Sequence, residues 1–228
     1  MSEAIKIDVW SDIACPWCYI GKRNLERGLA EVAADADAPR VEVEYHSFEL
    51  SPDTPVDFEG SQVDYLSQHK GISREQADQM LQRVTGVAAE AGLAYRFDLL
   101  QHTNTVKAHE LLHFAKAHGR QLEMVERLMS AYFIEGRHLG RTDELVSLAA
   151  EVGLPADEAR AALESERHLP DVRADQEQAA AYGINGVPFF VIDGQYGVSG
   201  AQPPEAFAQI TRQLWAERAG EPAHAAAG

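Results

Sequence analysis

The sequence predicts an α/β protein in which a long helical insertion separates a strand–helix–strand unit from a strand–strand–helix unit. Two observations support this prediction. Strand patterns lie towards both ends of the chain, as alternation near the N-terminus and as a short apolar run near the C-terminus, and helical periodicity fills the stretch between them. The chain has 228 residues, of which 45% are hydrophobic, so it is large and apolar enough to bury a sizeable core.

The N-terminal region has the pattern of a strand, a helix and a second strand. Residues 5–11 alternate between apolar and polar, residues 16–34 carry apolar side chains at helical spacing, and 41–45 alternate again. Pro16 fits the first turn of a helix. Such a unit normally forms two parallel strands joined by a right-handed crossover.

The central stretch contains seven predicted helices, each bounded by a capping residue, a glycine or a proline. They span 62–70, 74–91, 106–117, 122–134, 143–152, 156–164 and 171–182. No fixed period relates them, so the pattern does not indicate a repeat protein.

Strand character returns towards the C-terminus. Residues 187–192 are mostly apolar, Asp193-Gly194 is a hairpin turn signal, and 195–198 form the returning strand. An amphipathic helix over 204–218 follows. Without the insertion, this order of elements is that of a thioredoxin fold.

These patterns divide the chain into three parts. We assign 1–60 and 184–220 to a discontinuous thioredoxin-like domain, 61–183 to an inserted helical subdomain, and 221–228 to a flexible tail. No linker rich in Gly or Ser separates the first two parts, so we expect one compact unit.

The formal net charge of −16 argues against nucleic acid or an anionic membrane as the main partner. Both ligands bind clustered positive charge. No segment approaches the roughly 18 apolar residues that cross a bilayer, and the N-terminus has the pattern of a strand rather than a secretory signal. We therefore expect a cytoplasmic protein. Its expected assembly, a monomer or a homodimer, does not follow from these features.

The two cysteines, Cys15 and Cys18, follow the first predicted strand directly and open the first helix. A bridge across two residues restrains little of the unfolded chain, so chemistry explains the pair better than stability does. The N-terminus of a helix favours a thiolate at Cys15, which predicts that Cys15 attacks. Cys18 lies one turn inside, where we expect it to be more buried and to resolve the mixed disulfide.

A second candidate element is Gly186-Val187-Pro188, at the start of an apolar strand. A proline is tolerated there because its missing N–H lies at the end of the strand. Most X-Pro bonds are trans. In the thioredoxin fold that the order of elements resembles, however, the corresponding loop carries a cis proline that faces the dithiol, so we expect a cis bond before Pro188.

The segment SDIACPWCYIG, residues 11–21, resembles the DsbA-type thioredoxin-fold family and in particular its FrnE-like branch. Segments 102–109 and 183–188 resemble the branch's helical-insert segment and its cis-proline loop. The resemblance implies a protein disulfide oxidoreductase or isomerase that exchanges disulfides with protein or small thiols. It also implies that the Val187 and Pro188 backbone holds the substrate beside the dithiol.

The sequence departs from that family in two ways. Trp17 stands where strongly oxidising periplasmic members carry His, so we expect a less oxidising couple. The second cysteine pair of some FrnE-like proteins is missing, which excludes a relay between two dithiols. The disulfide of Cys15 and Cys18 is then the expected redox group. We predict no metal and no other cofactor, with glutathione as a candidate co-substrate.

Three residues near the cysteines are further candidates. Pro16 and Trp17 lie between them and are predicted to bind substrate, although Trp17 could equally serve packing. Asp12, three residues before Cys15, is a candidate proton acceptor for the dithiol. Its alternative role is a capping carboxylate at the turn between strand and helix.

The segment His109-Glu110-Leu111-Leu112-His113 matches the H-E-x-x-H zinc motif. The motif is short, and the chain has nine histidines, so an accidental match is plausible. The third ligand of the longer form of the motif is missing, because Gly119 stands at its position. We expect the two histidines to flank the apolar stripe of a helix.

Two other functions stay open. One is a glutathione-dependent transferase or isomerase resembling the kappa-class transferases and hydroxychromene carboxylate isomerases. Those enzymes usually have Ser at the position of Cys15 and no cysteine at that of Cys18, so the intact pair favours redox exchange. The other is a non-catalytic binding or chaperone role.

Overall fold

The computed structural model describes residues 4–218 and 220, and its centre is one mixed four-stranded sheet. The strands lie in the order β2-β1-β3-β4, with β1 parallel to β2, β1 antiparallel to β3 and β3 antiparallel to β4. They are β1 (Ile5–Ser11), β2 (Val41–Ser47), β3 (Phe189–Ile192) and β4 (Tyr196–Ser199). The predicted α/β class with a large helical insertion is confirmed.

The alternation of β1 fixes its place in the core. Ile5, Ile7 and Val9 are all buried, and Val9 pairs with Tyr45 of β2 and Phe190 of β3. Because β1 has neighbours on both sides, its C-terminal end is held firmly where the chain turns towards the cysteines.

Nine α-helices surround the sheet within the described ranges. They are α1 (Pro16–Ala33), α2 (Gln62–Lys70), α3 (Arg74–Glu90), α4 (Val106–Ala117), α5 (Gln121–Ser130), α6 (Thr142–Glu151), α7 (Ala156–Glu164), α8 (Leu169–Ala181) and α9 (Pro204–Arg218). Helices α1 and α9 pack against each other, whereas α2 to α8 come between β2 and β3 in the chain.

Local sequence explains where the inserted helices begin and end. Ser61 and Ser73 form capping boxes with Asp64 and Gln76 at the starts of α2 and α3. Helix α2 ends at Gly71, whose φ of 63° lies in the left-handed region that favours glycine.

Two predicted helices differ from the structure. The prediction of one helix over 122–134 is wrong, because α5 is followed by a π-helical turn, Ala131–Glu135. This wider turn buries Tyr132 and Phe133 in the core. Helix α8 begins before the predicted residue 171, because Pro170 is accommodated inside its first turn.

No helix in the described part of the chain combines the length and the apolar character needed to cross a bilayer. The predicted tail, 221–228, lies outside the described residues.

Candidate active site

The two cysteines lie at the N-terminus of α1. Cys15 is the N-cap residue, with an extended backbone (φ −89°, ψ 113°), and Pro16 opens the helix. The Cys15 N–H donates to the Asp12 carbonyl at 3.1 Å, and the Cys18 N–H donates to the Cys15 carbonyl at 3.0 Å. Both thiols are free, and both side chains are buried. The strand end and the helix start therefore fix the positions of both sulfurs.

The surroundings of Cys18 distinguish it from Cys15. Burial raises the pKa of the Cys18 thiol well above its usual range, and the neighbouring Cys15 adds to this effect. The Ser11 hydroxyl and the Asp12 backbone N–H lie beside the Cys18 sulfur and partly oppose the rise in pKa. Cys18 therefore keeps its proton until a step of the reaction removes it, as a resolving thiol requires.

The loop before β3 faces the dithiol. The Val187–Pro188 peptide bond is cis, and the Cys15 thiol donates to the Val187 carbonyl oxygen across 3.6 Å. Gly21 of α1 permits this approach, because a Cβ atom at that position would lie 3.0 Å from Cγ of Pro188. The structure thus brings the sequence-predicted cysteines and proline together.

Asp12 holds the turn between β1 and α1. Its Oδ1 accepts from the Ala14 N–H at 3.2 Å, its Oδ2 accepts from the Leu50 N–H at 2.8 Å, and His109 Nε2 lies 3.4 Å from Oδ1. Burial opposes ionisation of Asp12, but these three partners hold its pKa below the usual range. The carboxylate therefore ties the cysteine turn to the segment that follows β2.

Trp17 projects from the first turn of α1 and is 43% exposed, so part of its ring is available to a partner. The neighbouring Pro16 carbonyl accepts a hydrogen bond from the Tyr95 hydroxyl at 2.7 Å. This bond joins the redox turn to the segment between α3 and α4.

A cavity of about 400 Å³ opens beside Cys15 and Trp17, between the start of α1 and the inserted helices. This volume is in the range of pockets that bind small ligands. Its walls are largely apolar and are formed in part by Leu50, Leu66, Met80, Leu81 and Val84.

His102 and Tyr65 line another part of the cavity, and sequence reasoning gave neither a role. The two rings stack with centroids 3.5 Å apart, and the Tyr132 hydroxyl lies 3.2 Å from His102 Nδ1. Burial lowers the pKa of His102 to about 4, so the ring is neutral at pH 7. In the sequence, only the resemblance of residues 102–109 to a family segment could have indicated that His102 lies at the site.

The residues after His102 hold the irregular segment that follows β2. The Thr103 hydroxyl donates to the Val56 carbonyl at 2.7 Å, and the Asn104 side-chain amide donates to the Pro52 carbonyl at 2.8 Å. These bonds support the side of the cavity to which Leu50 belongs.

Comparison with protein families agrees with the fold and the site geometry described above. Residues 6–211 match the model of the DSBA-like thioredoxin domain. The chain belongs to this family. A DSBA-like protein therefore carries the dithiol and the cis proline described above.

Solved structures support the same assignment. The "probable DsbA oxidoreductase SCO1869" from Streptomyces coelicolor is 39% identical, with a TM-score of 0.85, over 98% of this chain and 94% of that one. The cytosolic disulfide reductase DsbM from Pseudomonas aeruginosa is 22% identical, with a TM-score of 0.65, over 92% and 98%. A 2-hydroxychromene-2-carboxylate isomerase is 14% identical, with a TM-score of 0.73, over 94% and 98%. The last two likenesses concern the fold alone.

The two histidines of the H-E-x-x-H segment in this DSBA-like chain contact different residues. Both are buried residues of α4 itself, beside the buried apolar residues Ala108, Leu111 and Leu112 of the same helix. His109 contacts Asp12, whereas His113 Nε2 lies 3.1 Å from Asp175 Oδ2 and 3.1 Å from Ser47 Oγ. Buried carboxylates on two different elements attract the two rings, so the geometry does not favour a shared metal ion.

Asp175 also belongs to a charged cluster around His46. His46 Nδ1 lies 2.8 Å from Asp175 and its Nε2 lies 2.8 Å from Asp8, while the Trp10 ring stacks on it at 4.5 Å. Burial opposes protonation of His46, but these carboxylates raise its pKa to about 9. The imidazole is therefore a cation at neutral pH.

Asp8, Glu44 and His46 also place potential metal-ligating atoms within 4.8 Å of one another. Lys6 already bridges the two carboxylates, at 2.9 Å from Asp8 and 3.2 Å from Glu44. Lys116 also pairs with Glu44. Protein cations thus balance the negative charge of this cluster.

Proposed function

We propose that the protein is a thiol–disulfide oxidoreductase that exchanges disulfides with protein or small thiols through Cys15 and Cys18. The observation that carries this proposal is the complete dithiol at the N-terminus of α1, with Cys15 facing the Val187 carbonyl beside a cis proline. Membership of the DSBA-like family supports oxidoreductase chemistry in general.

The proposed reaction has two exchange steps. The Cys15 thiolate attacks one sulfur of a substrate disulfide, and the other substrate sulfur leaves as a thiolate that takes up a proton. The Cys18 thiolate then attacks Cys15 Sγ, which releases the second substrate thiol and leaves the Cys15–Cys18 disulfide. The substrate gains two electrons and two protons, and the protein loses them. The reverse sequence oxidises a substrate dithiol.

The chain supplies the groups that these steps need. Cys15 is the N-cap residue of α1, whose first N–H groups have no partner within the helix. Cys18 needs a proton acceptor. Asp12 is our candidate, because it lies in the turn beside Cys18 and is ionised at neutral pH.

We assign substrate binding to Pro16, Trp17, Val187 and Pro188. Trp17 offers an exposed ring next to Cys15. The Val187 carbonyl, which accepts from the Cys15 thiol in the dithiol form, would accept a backbone N–H of a bound peptide instead. This arrangement would align the substrate sulfur with Cys15.

The remaining proposals concern partners and location. We propose that the Cys15–Cys18 disulfide is the redox group without a further cofactor, and that glutathione is a candidate co-substrate. We place the protein in the cytoplasm, and the similarly folded DsbM is described as cytosolic. We also assign it to the FrnE-like branch of its family and expect a monomer or a homodimer. Disulfide isomerisation is a second expected activity of the same site.

A trapping experiment tests the proposed function. In a Cys18→Ser variant the mixed disulfide has no resolving thiol, so Cys15 should accumulate a covalent adduct with an added peptide disulfide. Intact-mass spectrometry detects this adduct, and dithiothreitol should remove it. The matched control, Cys15→Ser, should form no adduct. A folded Cys18→Ser variant that stays unmodified would contradict the proposal.

The alternative is a glutathione-dependent transferase or isomerase, whose fold is shared by the hydroxychromene carboxylate isomerase. Cys18 argues against it, because a conjugating enzyme has no use for a buried resolving thiol. A Cys18→Ser variant with full conjugating activity would favour the alternative. A Cys15→Ser variant with full biological function would favour a non-catalytic binding role.

A further inference from the structure

The cavity beside Cys15 carries positive charge on a strongly acidic protein. The chain has 36 acidic and 20 basic residues, and most of its Lys and Arg side chains form ion pairs. Lys70 and Arg83 both line the cavity. Within residues 4–218, neither has an ion-pair or hydrogen-bond partner for its side-chain nitrogens.

The carboxylates near the cavity do not neutralise these cations. Asp12 is the single acidic residue among the described lining residues, and it is 2% exposed. Its oxygens already accept from two backbone N–H groups and contact His109. Lys70 lies in the last turn of α2, where a cation is favoured by the helix dipole. Arg83 lies in the middle of α3, so the dipole does not explain its presence.

We infer that the cavity selects small thiols and disulfides that carry carboxylates, with Lys70 and Arg83 at its mouth as their anion-binding residues. This inference rests on the proposed function and adds the chemical class of its substrate. The apolar walls would pack on the carbon chain between the sulfur and the carboxylate. The reaction is the two-step exchange given above, in which one dianionic disulfide becomes two carboxylate thiols and the protein dithiol becomes a disulfide.

The inference opposes the expectation from overall charge. A protein of net charge −16 repels anions at long range, so without local cations a cationic disulfide should react faster. Screening weakens the long-range field over about 10 Å at 0.1 M salt. The local pair in the cavity can therefore reverse the order of reactivity.

Three small disulfides of similar length test this inference. They are 3,3′-dithiodipropionate, which is dianionic, bis(2-hydroxyethyl) disulfide, which is neutral, and cystamine, which is dicationic. Each is mixed with the reduced full-length protein, and the rate of thiol loss is followed by trapping and mass spectrometry. For each variant we take the ratio of the rate with the dianionic disulfide to the rate with the dicationic one. Comparing this ratio between variants cancels the intrinsic reactivity of the two disulfides.

The wild-type ratio should exceed one, with the neutral disulfide in between. The double variant Lys70→Glu/Arg83→Glu should lower the ratio by about tenfold or more at low salt, the smaller end of charge-steering effects. The neutral variant Lys70→Gln/Arg83→Gln should give an intermediate ratio. It keeps the test valid if the double Glu variant does not fold. Arg167→Glu is the matched control for Arg83→Glu, because Arg167 is exposed and outside the cavity lining. It should keep the wild-type ratio.

The outcomes separate the inference from the proposed function. A ratio that is the same in wild type and both double variants, while the neutral disulfide still oxidises the dithiol, overturns the inference and leaves the exchange activity standing. An equal fall in Arg83→Glu and Arg167→Glu also overturns it, because overall charge would then be the cause. If no disulfide oxidises the wild-type dithiol, the proposed function fails and the inference fails with it.

Discussion

Two buried aspartates lie under the same helix and have different surroundings. Asp12 and Asp175 each contact a histidine of α4, and these histidines, His109 and His113, are one turn apart. Asp175 also contacts His46 at 2.8 Å and accepts from the Ser47 N–H at 2.7 Å. The other oxygen contacts of Asp12 are backbone N–H groups.

The difference indicates two tasks for one type of residue. The charge of Asp175 is matched by the His46 cation, and the contacts join β2, α4 and α8. We interpret this cluster as a contribution to stability. Asp12 instead fixes the backbone on either side of the redox turn, so we interpret it as a residue that positions the chemistry.

The largest expected effect on stability is that of Asp175→Asn. Removing this charge deprives buried His46 of one of its two closest carboxylates and His113 of its carboxylate partner, so we expect a loss of about 3–5 kcal/mol in the free energy of unfolding. Urea denaturation measures the loss. Asp171→Asn on the same helix is the control, because Asp171 is exposed, and it should cost less than about 1 kcal/mol. Similar losses in the two variants would contradict the stabilising role.

The pH dependence of stability sharpens the same comparison. The folded pKa of His46, about 9, exceeds its unfolded value, so its contribution is complete below about pH 6.5 and is lost as pH rises through 9. The loss should amount to about 3 kcal/mol, because each unit of the difference between the folded and unfolded pKa corresponds to ~1.4 kcal/mol. Urea denaturation between pH 6 and 10 should show this loss in the wild type and a flatter profile in His46→Gln. Identical profiles would contradict it.

Asp12→Asn should affect stability less and exchange more. The amide oxygen still accepts from one N–H group, so we expect a cost of about 1–3 kcal/mol, typical of a buried group with a lost partner. The rate of resolution by Cys18 should fall, because the turn loosens and the candidate proton acceptor is removed. Rapid mixing with a small disulfide, followed by acid quench and mass spectrometry, measures that rate. Unchanged resolution would remove Asp12 from the mechanism.

Ser11→Ala should have the smallest effect on stability and a specific effect on chemistry. The Ser11 hydroxyl is buried without a hydrogen-bond partner, so its removal should change stability by less than about 1 kcal/mol. We expect slower resolution, because the Ser11 hydroxyl lowers the pKa of the Cys18 thiol and so favours its thiolate. Ser47→Ala is the control, since Ser47 pairs with Ser11 in the sheet and contacts His113. Normal resolution in Ser11→Ala would contradict this role.

Local sequence signals were sufficient for much of the fold and for the dithiol. The alternation of residues 5–11 predicts the bounds of β1, which spans Ile5–Ser11 in the structure. Pro16 predicts the start of α1, which begins at that residue. The motif then places Cys15 and Cys18 within one helical turn. These features depend on neighbours in the chain.

The parts that sequence reasoning missed depend on residues far apart in the chain. His109 and His113 looked like one motif, but each is oriented by a carboxylate from another element. The cavity wall near Leu50 belongs to an irregular segment without periodicity. Hydrogen bonds from residues 103–104 hold this segment in place. No pattern within a short window contains that information.

The most direct test of the central claim is a redox titration of the two thiols in glutathione buffers, with alkylation and mass spectrometry. The account predicts that Cys15 and Cys18 are lost together in one reversible two-electron step. Its potential should lie below the roughly −120 mV of DsbA, since Trp17 replaces the histidine of strongly oxidising members. Two free thiols at every poise, or a glutathione adduct on Cys15 with Cys18 still free, would contradict the claim that they form a redox couple.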